Sequence, residues 1–224
     1  MFLRILILTS LFATAHLPTL FAQEAEDSKL NTNLGMGLTV PLNPTAQFVG
    51  SSVNVVVGAG YNITKHHSFV GQFMWAGLPP NKDVLRPIWI VAGSRDISGS
   101  SNLFTLTGNY RYQRLGRTFG VYLIGGGGMY YRRSSLSRRV VVGTGTVCGS
   151  SWDYFGYGCV NGLVSEDETL ISKGSTVFGG NGGAGFTIRI NKDGYRFYVE
   201  ARYHYAPNKN IPTAFIPITL GFAW

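Results

Sequence analysis

Beyond Ala22 this chain has no apolar run long enough to cross a bilayer as a helix, which excludes a helical membrane protein. Cysteine is nearly absent: Cys148 and Cys159 are the only two, which leaves one possible internal pairing. Acids are scarce, with 11 Asp and Glu against 19 Lys and Arg, and the formal charge is +8. That excess is diffuse. No basic helix or RNA-binding aromatic motif gathers it, so nucleic acid is not an expected partner and anionic lipid head groups suit it better. Histidine is scarcer still, at four. His66 and His67 lack further ligands at useful spacing, and no Ser, His and acid set stands out. No metal, cofactor or enzymatic activity is expected.

What is present begins with a leader. Arg4 precedes an apolar stretch from Ile5 to Phe21, diluted by Thr9, Ser10, His16 and Pro18, and small Ala22 stands before Gln23 and Glu24. This reads as a signal peptide over 1–22, cut after Ala22, followed by a short segment over 23–30 and one domain over 31–224. Its removal lowers the charge by one. Export also implies an oxidising compartment, in which Cys148 and Cys159 are expected to be bonded.

The remainder is rich in Gly, aromatic and β-branched residues and alternates with period two, so the domain is expected to be all-β. In the last segment Ala214, Ile216, Ile218, Leu220, Phe222 and Trp224 share an apolar face opposite Thr219, Gly221 and Ala223. Residues 52–62 set Val53, Val55, Val57, Ala59 and Tyr61 against Asn54, Gly58, Gly60 and Asn62. Residues 195–206 set Tyr195, Phe197, Val199, Ala201, Tyr203 and Tyr205 against Arg196, Tyr198, Glu200, Arg202 and His204. With 31–41, 67–78, 101–113, 118–131 and 175–190 the pattern predicts eight strands, each long enough to span a membrane at a tilt.

The connections alternate in length. Residues 63–66, 114–117 and 191–194 are tight turns, while 42–51, 79–100, 132–174 and 207–213 are longer, the third exceptionally so. Such segregation predicts a closed up-and-down transmembrane β-barrel with short turns and both termini on the periplasmic side and long loops outside. Aromatics group by depth accordingly. Tyr61, Phe69, Tyr110, Tyr112, Phe119, Tyr195, Phe197, Phe222 and Trp224 form one interfacial girdle, and Trp75, Tyr130, Tyr131, Tyr203 and Tyr205 the other. A soluble lipocalin-like barrel would carry its apolar face inside, the reverse of this pattern.

The segments YLIGGGGMYYRR, from Tyr122 to Arg133, and ITLGFAW, ending at Trp224, resemble the small eight-stranded outer-membrane barrel family that includes the OmpA transmembrane region and the OmpX and OmpW types. The likeness spans most of 31–224. It implies an outer-membrane location and a C-terminal assembly signal, here Leu220, Phe222 and Trp224, read by the outer-membrane insertion machinery, although Phe is the usual last residue. No peptidoglycan-binding domain is expected after the last strand. The family's roles are mixed, and fold alone does not select one.

Three candidate sites follow. The inward face should collect a polar cluster of Asn109, Arg111, Arg189, Arg196, Glu200, Arg202 and His204, as an ionic plug or a narrow path for small, anionic solutes. Arg132, Arg133, Arg138 and Arg139 should stand at the outer rim, where lipid phosphates lie. The long loop 132–174, closed by Cys148 and Cys159, offers a constrained tip for an unknown surface ligand or acts as a lid. The expectation is therefore a structural or cell-surface interaction protein, with a narrow channel as the alternative and a lipid-modifying barrel enzyme or soluble binder behind it.

Overall fold

The computed structural model describes residues 29–92, 97–150, 156–191 and 194–224. The leader over 1–22 and nearly all of 23–30 lie outside the described residues. Eight strands run β1 (Leu30–Pro41), β2 (Ser52–Asn62), β3 (His67–Gly77), β4 (Ile97–Leu115), β5 (Phe119–Ser150), β6 (Tyr157–Arg189), β7 (Arg196–Ala206) and β8 (Thr213–Ala223). Each pairs antiparallel with its sequence neighbours, and β1 pairs with β8, from Asn33↔Ala223 to Pro41↔Phe215, so the barrel closes with no free edge. Reciprocal bonds between Thr32 and Trp224, at 2.8 and 3.0 Å, tie the seam at the short-turn end.

Alternation in the sequence becomes segregation by face. Val55, Val57, Leu106, Leu123, Ile218 and Leu220 project outward and are exposed, with Ile188 half-buried among them, while Asn54, Thr39, Ser68, Thr105 and Asn109 are sealed inside. This polar interior and apolar exterior suit a barrel solvated by lipid and invert the lipocalin arrangement. The inward row is crowded, and glycine answers the crowding. A Cβ at Gly185 would strike the Tyr122 ring, and one at Gly35 or Gly221 would strike Tyr198.

At the short-turn end, backbone bonds Ile63 N to His67 O (2.9 Å), Gly116 N to Phe119 O (2.7 Å) and Ile190 N to Tyr195 O (2.9 Å) close tight hairpins. Gly194 there takes a positive φ of 91° that other residues rarely adopt. Aromatic rings meet across the neighbouring strands: Phe119 stacks on Phe186, Phe69 meets Tyr110 and Phe197 meets Phe222 edge to face, and Tyr195 lies tilted against Trp224. Nearer the opposite end Phe104 stacks on Tyr131, and Tyr203 on Tyr205.

Three expectations need correction. The segment 132–174, expected to be a loop, instead prolongs β5 and β6 as a paired ribbon, with irregularities between Leu136 and Ser137 and between Val141 and Gly143. Secondly, the connection 79–100, expected to be a loop, carries a helix, α1 (Lys82–Ala92), within the otherwise all-β barrel. Asn81 Oδ1 accepts the Asp83 N–H at its start, 3.1 Å, and Leu85 is buried beneath it. Finally, Tyr130 does not join the outer girdle. It points inward and is 1% exposed, as strand geometry requires when its neighbour Tyr131 points out.

Candidate functional site

Glu200 and Arg202 project from one face of β7 and form a buried ion pair, Arg202 Nε to Glu200 Oε1 at 2.6 Å. The other carboxylate oxygen accepts a hydrogen bond from the Tyr122 hydroxyl, 2.8 Å. Arg111 lies over the Tyr122 ring, 5.4 Å from its centre, and donates to Asn31 Oδ1 (2.9 Å) and Ser68 Oγ (3.3 Å). One carboxylate thus sits beside one guanidinium directly and beside a second through an aromatic ring, an arrangement that makes buried charge tolerable.

Amides fill the space around this network. Asn109 donates to Thr107 Oγ1 (3.0 Å) and accepts from Asn181 Nδ2 (2.9 Å), while Asn54 bridges Thr39 and Thr219 at 3.1 and 3.3 Å. A small void of about 20 Å³ lies between Gln72, Thr107, Arg202 and His204 on one side and Val56, Met74 and Pro217 on the other. Arg196 belongs to a different level. It reaches the turn at the short end through Gly116 O (3.1 Å) and Thr187 Oγ1 (3.4 Å), and its register partner is Arg189. The expected cluster therefore resolves into a central network, containing Arg111, Glu200 and Arg202, and a separate basic pair near the short turns.

Above the network the interior turns apolar. His204 stacks on Phe215, with ring centres 4.8 Å apart, and its Nδ1 shares a 3.0 Å hydrogen bond with the Tyr130 hydroxyl, which also bonds Gly180 O (3.1 Å). Met74, Ala76, Leu103 and Ala206 pack with them into a buried plug. His204 thus meets aromatic partners, and Glu200 is held by Arg202 and Tyr122, so these two do not form a base-acid couple. Among the described residues no group of His, Cys, Asp or Glu could hold a metal ion.

The first, second and last long connections knit together over this plug. Thr45 Oγ1 donates to Pro212 O (2.9 Å) and accepts from Ala214 N–H (2.8 Å). Gly50 N bonds Pro79 O at 2.7 Å, and Asn81 N bonds Phe48 O at 2.8 Å. Arg132 turns inward to this cap, donating to Ile211 O (3.1 Å) and Thr213 Oγ1 (3.3 Å) beside a cavity of about 120 Å³.

The four arginines expected at the rim do not form one band. Arg132 serves the cap, and Arg133 Nε contacts Ser172 Oγ at 3.3 Å. Higher on the ribbon, Arg138 pairs with Glu168 at 3.0 Å and Arg139 with Asp167 at 3.6 Å. Parity explains Arg132, which lies two residues from inward Tyr130. The sequence did not single out Tyr122 and Thr45 as working residues. The signal for Tyr122 was there: its partner across the β5–β6 ladder is Gly185, whose missing side chain leaves room for the ring.

β4 accompanies β5 as far as Ile97↔Arg138, and β7 accompanies β6 as far as Gly180↔Tyr205. Beyond those points β5 and β6 pair with each other alone among the described residues. Val141, Val142, Leu163 and Ile171 are all more than half exposed. Cys148 and Cys159 are direct register partners and are joined as a disulfide. Within the tip closed by the disulfide, Trp152, Tyr154 and Phe155 lie outside the described residues.

No protein-family model matches the chain, and no curated protein matches it by sequence. Solved structures do resemble it. Neisserial surface protein A superposes with a TM-score of 0.51 at 12% identity, covering 88% of this chain and 96% of that one. Ail, the attachment invasion locus protein of Yersinia pestis, gives 0.46 at 12% identity, over 88% of this chain and all of Ail. The fold is that of the small eight-stranded outer-membrane barrels.

Proposed function

We propose that this protein is a non-enzymatic integral outer-membrane barrel that works at the cell surface through the β5–β6 ribbon. The outward apolar belt between two aromatic girdles supports the membrane location, and the separation of tight turns from long connections supports the orientation. Export would remove the leader, and the insertion machinery would read the final strand through Leu220, Phe222 and Trp224.

The observation that carries the surface role is the ribbon. From Tyr131 to Ser150, at 3.3 Å per residue, β5 extends roughly 60 Å beyond the upper aromatics. A two-stranded ribbon is marginally stable unless something supports it, and this one carries a disulfide and two cross-strand ion pairs. Retaining exposed Val, Leu and Ile on such a projection fits a surface that meets a partner.

Protease added to intact cells tests this reading. Cleavage should fall within 138–172 while the strands below persist in the outer-membrane fraction; recovery of the chain in the soluble fraction would sink it. The alternative of a narrow anionic channel draws on the arginine excess in the lumen. The packed plug and cap argue against it, so refolded protein in a planar bilayer should show baseline conductance.

A further inference from the structure

The lipid-facing wall is not uniformly filled. An apolar trough of about 630 Å³, within the range of specific ligand sites, runs along the outside of β5, β6 and β7 between Val121, Leu123, Phe186 and Val199, with Ala184 and Ala201 as its small floor. Ala184 and Ala201 are register partners, so their methyl groups lie side by side. Gly125 and Gly182, also partners, stand one outward position further toward the middle of the barrel. A Cβ at Gly182 would meet nothing within 4 Å, so the barrel's own packing does not require glycine there. From Val121 to Leu123 the trough covers roughly 7 Å of strand, which lies within one leaflet's half of a hydrocarbon core of about 30 Å.

Its short-turn end is charged. Arg114 lines that end, and its Nε donates to the Tyr112 hydroxyl at 3.2 Å, which fixes the guanidinium at the level of the lower aromatics. We propose that this trough is a binding site for one anionic glycerophospholipid of the leaflet at the short-turn end, with an acyl chain in the groove and its phosphate on Arg114. A guanidinium suits a phosphate diester, and a groove floored by the alanine methyl groups between Leu123, Phe186 and Val199 admits an acyl chain. The site rests on the membrane reading above.

The test reconstitutes the full chain into phosphatidylethanolamine vesicles containing phosphatidylglycerol or, separately, phosphatidylcholine, and counts retained lipid by native mass spectrometry after gentle detergent extraction. One phosphatidylglycerol per barrel should survive, with Arg114→Gln lowering its retention about fivefold and leaving phosphatidylcholine unchanged. Ala184→Leu with Ala201→Leu should abolish retention of both, whereas Ala59→Leu, on the outward face of β2, should not. Heat-modifiable migration reports whether each variant folds, and if the double variant does not, Arg114→Gln alone decides. Equal retention of the two lipids, indifference to Arg114→Gln, or a dimer cross-linked through Ala201→Cys would overturn the site. Failure of the protein to float with vesicles would instead overturn the membrane reading.

Discussion

β5 and β6 each pass through two regions that share a secondary structure and little else. Within the barrel their backbones are bonded on both edges and their side chains divide strictly into lipid-facing and lumen-facing rows. Above Arg138 and its partner Glu168 each has only the other, and side chains on both faces are largely exposed. A wall residue is therefore specified by what surrounds it on two sides, while a ribbon residue is specified by the partner across the ladder and by local cross-links. Damage to the wall should be global, and damage to the ribbon local.

The largest effect should come from Glu200→Ala. It strands Arg202 and Arg111 in the lumen without their shared carboxylate, and breaking a buried pair in this way costs about 3–5 kcal/mol. Urea unfolding in vesicles measures it. Replacing both members, Glu200→Leu with Arg202→Met, should cost less than Glu200→Ala alone, and a larger loss in the double variant would contradict the pairing. Next comes Leu106→Arg on the lipid face, expected to cost about 2–4 kcal/mol near the midplane. An unchanged unfolding midpoint would mean that this face does not meet lipid.

A smaller effect is expected at the mouth, where Thr45→Val removes the acceptor for the buried Ala214 N–H, worth about 1–3 kcal/mol. Hydrogen exchange should quicken at 212–215 before it changes at mid-barrel. The smallest effect on the barrel should follow Cys148→Ser with Cys159→Ser. The entropic contribution of so short a loop is on the order of 3 kcal/mol, but it acts on the ribbon. Heat-modifiable migration should persist while external protease cuts 138–172 faster. A double variant that fails to insert would erase the distinction between the two regions.

The same contrast explains what could be read in the sequence. The eight spanning segments and their inward rows were legible because lipid on one side and a packed lumen on the other enforce a period of two. The ribbon was not, because neither of its faces is buried and its two irregularities shift the alternation at Ser137 and Gly143. α1 was not legible because Pro87 stands inside it, where a helix is not expected, and its apolar residues read as part of a connection. Tyr130 and Arg132 were legible in principle. Adjacent Tyr130 and Tyr131 cannot both face lipid, and Arg132 follows Tyr130 inward. The partition of the lumen into a central network and a basic pair depends on relative strand stagger, which period alone does not convey.

The continuity of β5, unbroken from Phe119 at the short turn to Ser150 near the tip, has a mechanical meaning. A partner gripping the end of the ribbon and pulling outward stretches both strands along their own axes. The disulfide carries that tension across the tip in covalent bonds, and the wall receives it as shear, along β4 below Arg138 and along β7 below Gly180. In shear the ladder bonds resist together, whereas an unzipping geometry would break them one at a time. The ribbon is thus rooted as a tether, its pull spread over the strands of the wall instead of concentrated at a hinge.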